Sequence, residues 1–380
     1  MKTATVLFEN NSFVRELNDD NLDFVDLDLV LGFGARDLLS DQKIFNELKN
    51  KFPSSELVLC SSAGEIYQDE VLDNTISLTA IKFSSTKIKT CEVDIADFQN
   101  SFLAGSSLIK KFDQQHLKLV LVLSDGGKVN GSELVNGMNA VKKEEVLIVG
   151  GLAGDAAKFE KTLVGLNETP QQGKIVAIGF YGAKLLVSHG SLGGWESFGL
   201  ERIVTKSESN VLYEIDGKNV LDLYKIYLGK YAEELPGSAL LFPLSIKIDG
   251  VDEPVVRTIL SIDESNQTMT FAGDVPKGSK VRFMKANFDR LIDAASQAAA
   301  CCLELNSFNP KLALLISCVG RKLILGSRID EEVEAVSEIF GDKTTISGFY
   351  SYGEISPLKP YGECILHNQT MTITCINEID

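Results

Sequence analysis

The chain has 380 residues, with 37 Lys and Arg against 53 Asp and Glu, and so carries a formal net charge of −16. At that length we expect two domains or one large sheet system. The acidic balance, with no segment that concentrates basic and aromatic residues, argues against nucleic acid and anionic membranes as partners. Residues 1–10 lack the apolar core of a signal peptide, and no apolar run approaches the roughly 20 residues of a spanning helix, so we expect a cytoplasmic protein without membrane insertion.

The cysteines lie mostly inside apolar runs, and none forms a Cys-x-x-Cys pair. We expect them to be small buried thiols in a reducing compartment rather than metal ligands or a redox centre. They are Cys60, Cys91, Cys301, Cys302, Cys318, Cys364 and Cys375.

The first elements along the chain form a recognisable order. Residues 1–27 predict an edge strand or a short helix, and residues 29–34 predict a buried strand. Ser40 and Asp41 can cap a helix whose apolar side chains follow helical spacing. The elements after it are a strand at 57–60, a turn at 61–65 and an alternating strand at 75–83.

The order strand, helix, strand, turn, strand occurs two more times. The second copy spans residues 119–180, about ninety residues after the first, and the third copy spans residues 312–376. Three such copies predict an α/β or α+β protein with mixed sheets and packed helices, built by duplication. We expect the first two copies to have equivalent turns at residues 64–65 and 154–155.

The segment between copies two and three has a different character. Residues 188–199 contain several glycines and the only Trp, which predicts an ordered loop. A helix at 219–227 and a β-rich part from residue 236 follow, and then an Ala-rich helix begins at Phe288. We therefore predict two domains, 1–200 and 201–380.

Several strings resemble FIST-domain proteins, which consist of a FIST N and a FIST C domain. The strings similar to the amino-terminal half are residues 123–126, 130–134 and 150–155. The strings similar to the carboxy-terminal half are residues 193–195, 198–199, 210–214, 271–276, 317–321, 348–355 and 367–372. The chain departs from the family pattern at Ser197, where we expect Pro after the Trp.

The resemblance implies an intracellular sensory module that binds a small ligand, such as an amino acid, and passes its state to a signalling partner. A stand-alone bacterial subset resembles haem-binding nitric oxide sensors that regulate a histidine kinase, so haem is a possible cofactor. Because the resemblance covers nearly the whole chain, we expect signalling through a separate protein.

Three carboxylates follow a glycine in the repeated turns: Glu65, Asp155 and Glu354. They can converge on a ligand ammonium or a metal, but a carboxylate after a tight turn also commonly caps the backbone. Binding has more support at Glu354 than at the other two, since Glu354 has hydroxyl donors beside it, and we expect Tyr350, Tyr352 and Glu354 to share a cleft with the Trp195 loop. The ligand-binding candidates are Trp195, Arg257, Arg321, Tyr350, Ser351, Tyr352, Glu354 and Asn368.

The histidines supply the candidates for haem iron. His367 is the first choice and His189 the second, although each is also typical of a hydrogen-bonded structural imidazole, and His116 lies in a polar surface stretch. Arg257 and Arg321 can pair with a ligand carboxylate or form structural ion pairs.

Catalysis has weak support. The glycine-rich segments match neither dinucleotide nor Walker spacing, and the segment 124–126 lacks a nucleophile elbow. We therefore predict no catalytic residues. An enzyme acting on a small metabolite and a protein-interaction scaffold remain the alternatives.

Overall fold

The computed structural model describes residues 1–235, 237–247, 254–305, 308–358 and 362–379. The described helices are α1 Arg36–Leu39, α2 Gln42–Lys51, α3 Ser101–Lys110, α4 Gly131–Asn139, α5 Val220–Leu228, α6 Phe288–Leu305, α7 Val319–Leu325 and α8 Ile329–Phe340. The strands before residue 200 are β1 Lys2–Glu9, β2 Ser12–Leu17, β3 Leu29–Gly34, β4 Glu56–Ser61, β5 Glu65–Tyr67, β6 Glu70–Leu72, β7 Ile76–Lys82, β8 Lys87–Asp94, β9 Leu117–Ser124, β10 Leu147–Leu152, β11 Val164–Leu166, β12 Lys174–Tyr181, β13 Leu185–Leu192 and β14 Glu196–Glu208, the last of which continues past it. The later strands are β15 Val211–Ile215, β16 Lys218–Asn219, β17 Leu244–Lys247, β18 Val255–Arg257, β19 Ile259–Asp263, β20 Thr268–Phe271, β21 Lys280–Lys285, β22 Leu312–Cys318, β23 Thr345–Ser351, β24 Gly353–Pro357, β25 Cys364–His367 and β26 Met371–Glu378.

Three units of the same topology confirm the predicted repeat and the mixed α+β class. In each unit the first strand is parallel to the second and antiparallel to the third. A helix connects the two parallel strands, as a parallel pair requires. The first, second and third strands are β3, β4 and β7 in unit one, β9, β10 and β12 in unit two, and β22, β23 and β26 in unit three.

In each unit, the strand that follows the turn pairs with a strand in the sheet of another unit. The strand β5 of unit one pairs with β23 of unit three. The strand β24 of unit three pairs with β10 of unit two, and β11 of unit two pairs with β4 of unit one. The exchange is therefore cyclic, and the sheets join segments from both sides of residue 200. The predicted domain division at that residue stays a prediction.

The three first strands build one central core. Alternate side chains of each strand point to it, as the two-residue period of a strand dictates. These side chains are Leu29, Leu31, Phe33, Leu119, Leu121, Leu123, Leu312, Leu314 and Ile316. The residues between them face the helices, for example Val30 beside α2 and Ala313 beside α6 and α8. The stacked rings of Phe33 and Phe349, with centroids 4.6 Å apart, join units one and three in this core.

Two glycines allow the parallel strands of units two and three to approach closely. Gly150 and Gly348 have φ angles of 152° and 159°, which disfavour other residues. A Cβ at Gly150 would lie 1.9 Å from the carbonyl oxygen of Val122, and one at Gly348 would lie 1.8 Å from that of Leu315. The two positions are equivalent in the repeat.

An insertion between β13 and α6 forms a separate sheet of order β18-β17-β21-β14-β15-β20-β19, with β16 on β15. Helix α5 packs on it and shares its core. The predicted loop at 188–199 is mostly strand, because β13 continues to Leu192 and β14 begins at Glu196. In the described part of the chain, every helix is too short or too polar to cross a lipid bilayer.

Candidate functional site

The turns after the second strands meet at one end of the three units. Each turn donates one backbone hydrogen bond to another turn, and the three bonds form a closed cycle. They run from Gly154 N to Ser61 O at 2.9 Å, from Ala63 N to Tyr350 O at 2.8 Å, and from Tyr352 N to Leu152 O at 3.1 Å. Gly154 is therefore equivalent to Ala63 and Tyr352.

The expected equivalence of the three turn carboxylates needs a correction. The turns are equivalent, but the hydrogen-bond cycle places Asp155 one position earlier than Glu65 and Glu354. A one-residue offset sends a side chain in a different direction. Asp155 consequently has different partners from the other two carboxylates.

Glu354 closes a clasp inside unit three. It is fully buried, with one oxygen accepting from Ser351 Oγ at 2.8 Å. The other oxygen accepts from Thr370, from the backbone N at 3.1 Å and from Oγ1 at 2.9 Å. Burial raises the pKa of Glu354 to about 8. Glu354 thus caps the backbone N–H of Thr370. Such a cap is the alternative to ligand binding that the sequence also allowed.

Glu65 makes the same clasp in unit one. Its oxygens accept from Ser62 Oγ and from both the backbone N and Oγ1 of Thr75, at 3.2 and 2.9 Å for Thr75. Burial raises the pKa of Glu65 to about 7. Both clasps tie the turn to the residue before the third strand of their unit.

The Trp195 loop packs on a buried ion pair. Arg321 is fully buried and donates from Nε to Glu332 at 2.6 Å and from Nη1 to the carbonyl of Gly193 at 2.6 Å. The hydroxyl of Tyr350 also donates to Glu332, at 2.8 Å. Trp195 donates its indole N–H to the backbone carbonyl of Gln369 at 2.9 Å. Trp195 and Glu354 bond neighbouring residues, Gln369 and Thr370, but none of the cavities described below is lined by both of them. A cleft shared by Glu354 and this loop therefore stays a prediction.

Asp155 connects all three units. It accepts a hydrogen bond from Arg36 Nη1 of unit one at 2.9 Å and from the hydroxyl of Tyr352 of unit three. It also accepts the backbone N–H groups of Phe159, Glu160 and Lys161, at 2.9, 3.1 and 2.8 Å. The side chains of Phe159 and Tyr352 stack with ring centroids 4.6 Å apart. Asp155 therefore fixes the position of two aromatic rings at the mouth of a cavity.

This cavity, which we call the Tyr352 cavity, has a volume of about 400 Å³. It lies between the first turn of α4, the loop after Asp155 and the inserted sheet. Its lining residues are Gly126, Gly127, Lys128, Val129, Asn130, Gly131, Leu152, Phe159, Glu160, Lys161, Thr162, Asn210, Leu260, Phe271, Ala272, Gly273 and Tyr352. The side chain of Asn130 caps α4 by accepting from Glu133 N, and it donates to Asp274 of the insertion at 3.3 Å.

A smaller cavity of about 220 Å³, which we call the apolar chamber, adjoins the first. The two share Phe159, Leu260, Ala272 and Tyr352. The other residues that line the chamber are Leu240, Thr258, Ile259, Cys318, Val319 and Asn368. Thr258 is 4% exposed, and its Oγ1 has no hydrogen-bond partner among the described residues. The predicted site residues Tyr352 and Asn368 thus line cavities, although ligand binding by them stays a prediction.

Arg257 lies behind the wall of the Tyr352 cavity. A Cβ on the lining residue Gly273 would be 2.9 Å from its Nε. The guanidinium donates to the carbonyls of Asp274, Val256 and Leu366, at 3.1, 3.1 and 3.0 Å. Within the described residues no carboxylate lies within 4.0 Å of it. Burial lowers its pKa to about 10, so it remains a cation at neutral pH.

The two buried histidines differ in their surroundings. His367 hydrogen-bonds through Nε2 to the carbonyl of Ser356 at 2.9 Å, and burial lowers its pKa to about 4. His189 is 6% exposed, bonds the backbone of Pro357 and lines a cavity of about 530 Å³ with walls that include Leu117 and Leu186. Burial lowers its pKa as well. No group of three or more His, Cys, Asp or Glu suited to a metal ion occurs in the described part of the chain.

Sequence reasoning missed several cavity residues. Asn130, Ala272 and Gly273 lie in the strings that resemble FIST proteins, so the strings themselves could have indicated them. Thr258 and Phe159 lie outside those strings and carry no pattern in the sequence. Their role depends on which loops meet in the folded chain.

Comparison with known proteins agrees with the resemblance of the sequence strings to FIST proteins. Residues 28–218 match the FIST N domain, and residues 221–357 match the FIST C domain. An uncharacterized protein of Methanocaldococcus jannaschii is 22% identical over 331 residues, which cover 79% of this chain and 61% of that relative. The chain therefore spans about three fifths of the length of the curated relative it matches. FIST domains are associated with small-ligand sensing in signal transduction, and they are sensory rather than catalytic. With both domain matches along its length, the chain belongs to the FIST family.

Proposed function

We propose that this protein is a cytoplasmic sensor that binds a small ligand in the Tyr352 cavity and the apolar chamber. In this proposal the ligand is a small molecule such as an amino acid, and a separate protein, such as a histidine kinase, receives the signal. The observation that carries the proposal is the convergence of the FIST strings. Segments from both family halves, at Gly126, Asn130, Asn210, Ala272 and Tyr352, line one cavity.

The location of the cavity supports a sensor. One wall belongs to the units and contains Tyr352, and the opposite wall belongs to the insertion and contains Leu260 and Ala272. A ligand that touches both walls stabilises one position of the insertion relative to the units. Differential affinity for two such positions is what a ligand needs to shift a conformational equilibrium.

The titratable groups of the chamber fit binding better than catalysis. Burial raises the pKa of the Cys318 thiol and the Tyr352 phenol well above their ordinary values. Both groups therefore stay protonated at neutral pH, which makes them poor nucleophiles and poor bases. An enzyme would need a group whose pKa lies near the working pH in contact with the substrate.

Native mass spectrometry of the purified protein tests the proposal. We expect a retained small molecule, and we expect Ala272→Leu to release it because Ala272 lines both cavities. Ala183→Leu is the matched control, since Ala183 is exposed and lies away from the two cavities. Equal retention by both variants would place the ligand elsewhere and contradict the proposed site.

A haem-based nitric oxide sensor is the second candidate, and the cavity beside His189 is the observation that favours it. The backbone of Pro357 has no N–H, so the His189 ring donates to its carbonyl and keeps the other nitrogen available as a ligand. His367 likewise has one nitrogen on a backbone carbonyl, that of Ser356, but it lines none of the cavities described above. A bound haem would supply the nitric oxide chemistry, and His189 rather than His367 would hold its iron. Haem titration followed by visible absorption tests this, because, of the two variants, only His189→Ala, and not His367→Ala, should shift the Soret band of the bound haem.

A further inference from the structure

We propose that the ligand is a small monoanion, such as a carboxylate, whose tail is mostly apolar and ends in a hydrogen-bonding atom. The proposal rests on the site given under Proposed function and assigns each part of the ligand to one of the two cavities. The anionic head lies in the Tyr352 cavity, and the tail enters the apolar chamber.

Two lysines that line the Tyr352 cavity, Lys128 and Lys161, form no ion pair in the described part of the chain. The carboxylates around the cavity already have donors within the protein, because Glu160 and Asp155 share Arg36 and Asp125 accepts two backbone N–H groups. Arg257, behind Gly273, adds a buried cation whose neighbouring charge is the carboxylate of Asp274. Two exposed lysines and a buried guanidinium attract an anion and repel an amine.

The first turn of α4 also favours an anionic ligand. The N–H groups of Gly131 and Ser132, the first two residues of the helix, have no acceptor within it because of helix geometry. The positive end of the helix dipole at this turn also favours negative charge. This contribution adds to the charges of the side chains and would not define a site without them.

The apolar chamber determines which kind of ligand tail fits. Leu240, Ile259, Leu260, Val319 and Ala272 give it apolar walls, and the rings of Phe159 and Tyr352 stand between it and the Tyr352 cavity. A flat aromatic tail can contact both rings. The chamber, with a volume of about 220 Å³, is large enough for a tail that contains one aromatic ring.

Thr258 supplies a second feature that selects the ligand, in addition to the charge at the other end. Its Oγ1 is buried and has no partner, and leaving such a hydroxyl unsatisfied costs about 1–3 kcal/mol. A polar atom at the end of the ligand tail can satisfy it. The site therefore recognises charge at one end of the ligand and one hydrogen-bonding group at the other.

The test uses four related probes and isothermal titration calorimetry. The probes are 3-(4-hydroxyphenyl)propanoate, its amide, the corresponding amine and 3-phenylpropanoate. We expect the hydroxylated acid to bind about tenfold more tightly than its amide and than 3-phenylpropanoate, and the amine to bind most weakly. Added salt should weaken binding of the acid but not of the amide.

Variants assign each preference to its residue. Lys161→Ala and Lys128→Ala should each reduce the affinity for the acid about fivefold and leave the amide unaffected. Lys143→Ala, at an exposed lysine away from both cavities, is the control. Thr258→Val should remove the preference for the hydroxylated acid over 3-phenylpropanoate without weakening the binding of the latter.

The outcomes separate this inference from the proposed function. If the amide or the amine binds as tightly as the acid, and Ala272→Leu blocks it, the anionic class is wrong while the binding site stands. If no probe binds at about 10 mM although the purified protein retains a small molecule, the ligand class is wrong. If probe binding is insensitive to Ala272→Leu, the site itself is wrong.

Discussion

The turn of unit two differs from the turns of units one and three in what its carboxylate holds. Glu65 and Glu354 each bind two residues of their own unit, a Ser three positions earlier and a Thr before the third strand. Asp155 instead binds Arg36 of unit one, Tyr352 of unit three and the loop that follows it. The first two carboxylates stabilise a unit, and the third stabilises the junction of the units.

The comparison explains where the cavity lies. A carboxylate that accepts three hydrogen bonds inside its own unit keeps little acceptor capacity for a ligand. The offset at Asp155 frees that turn from the clasp geometry, and its loop carries Phe159 and Lys161 to the Tyr352 cavity. In this repeat, the unit that departs from the common pattern is the one beside the candidate site.

Removing a clasp should have the largest effect on stability. Glu354→Ala leaves the N–H and hydroxyl of Thr370 buried without an acceptor, so we expect a loss of about 3 kcal/mol in the free energy of unfolding. Glu65→Ala should cost a similar amount. Urea unfolding measures both, with Glu354→Gln as the isosteric control. Equal stabilities of the Ala and Gln variants would contradict the clasp.

The clasps should also make stability depend on pH. The folded pKa values of about 7 for Glu65 and about 8 for Glu354 lie above the ordinary value of 4.5, so the folded protein binds more protons than the unfolded chain between these values. Their contribution is fully present below about pH 4.5 and is lost as the pH rises through the folded pKa values.

The double variant Glu65→Gln with Glu354→Gln isolates this effect. Its unfolding free energy should change less than that of the parent protein between about pH 5 and pH 9, since both titrating groups are gone. Parallel pH profiles for the two proteins would show that the clasps do not titrate in this range.

The same acid-to-amide change should act differently at Asp155. An amide there loses the ion pair with Arg36 and can turn its NH₂ toward the backbone N–H groups, so Asp155→Asn should lower stability by about 1–2 kcal/mol. Hydrogen exchange should increase at residues 159–161, because the carboxylate of Asp155 accepts their backbone N–H groups. Unchanged exchange in that loop would refute the assigned role of Asp155.

Tyr352→Phe should have the smallest effect. It removes the hydroxyl that donates to Asp155 but retains the ring that stacks on Phe159, so we expect a loss below about 1 kcal/mol. Thermal unfolding measures the change. A loss as large as that of Asp155→Asn would mean that the hydroxyl, rather than the bonds to Arg36 and the loop, maintains the junction.

Local patterns in the sequence predicted the repeat and its elements well. The apolar run of residues 29–34 and the cap at Asp41, which accepts from Lys43 N, depend only on neighbouring residues. The same holds for the helix predicted at 219–227, which the structure places at Val220–Leu228. The family strings also contain several of the segments that line the Tyr352 cavity, such as those with Asn130, Ala272 and Tyr352.

Sequence by itself determined the three units, because strands buried on both faces are continuous apolar runs and the helices and turns between them carry their own local signals. Only the tertiary structure decided that strands are exchanged between the units and that Asp155 is offset by one residue. It also decided that Ser351 and Thr370 hold Glu354, and that Glu332 holds Arg321, inside the core. The physical reason is that a polar residue has the same identity in a buried clasp and in a binding site. Its role depends on which donors and acceptors distant segments bring to it, and no local pattern encodes those contacts.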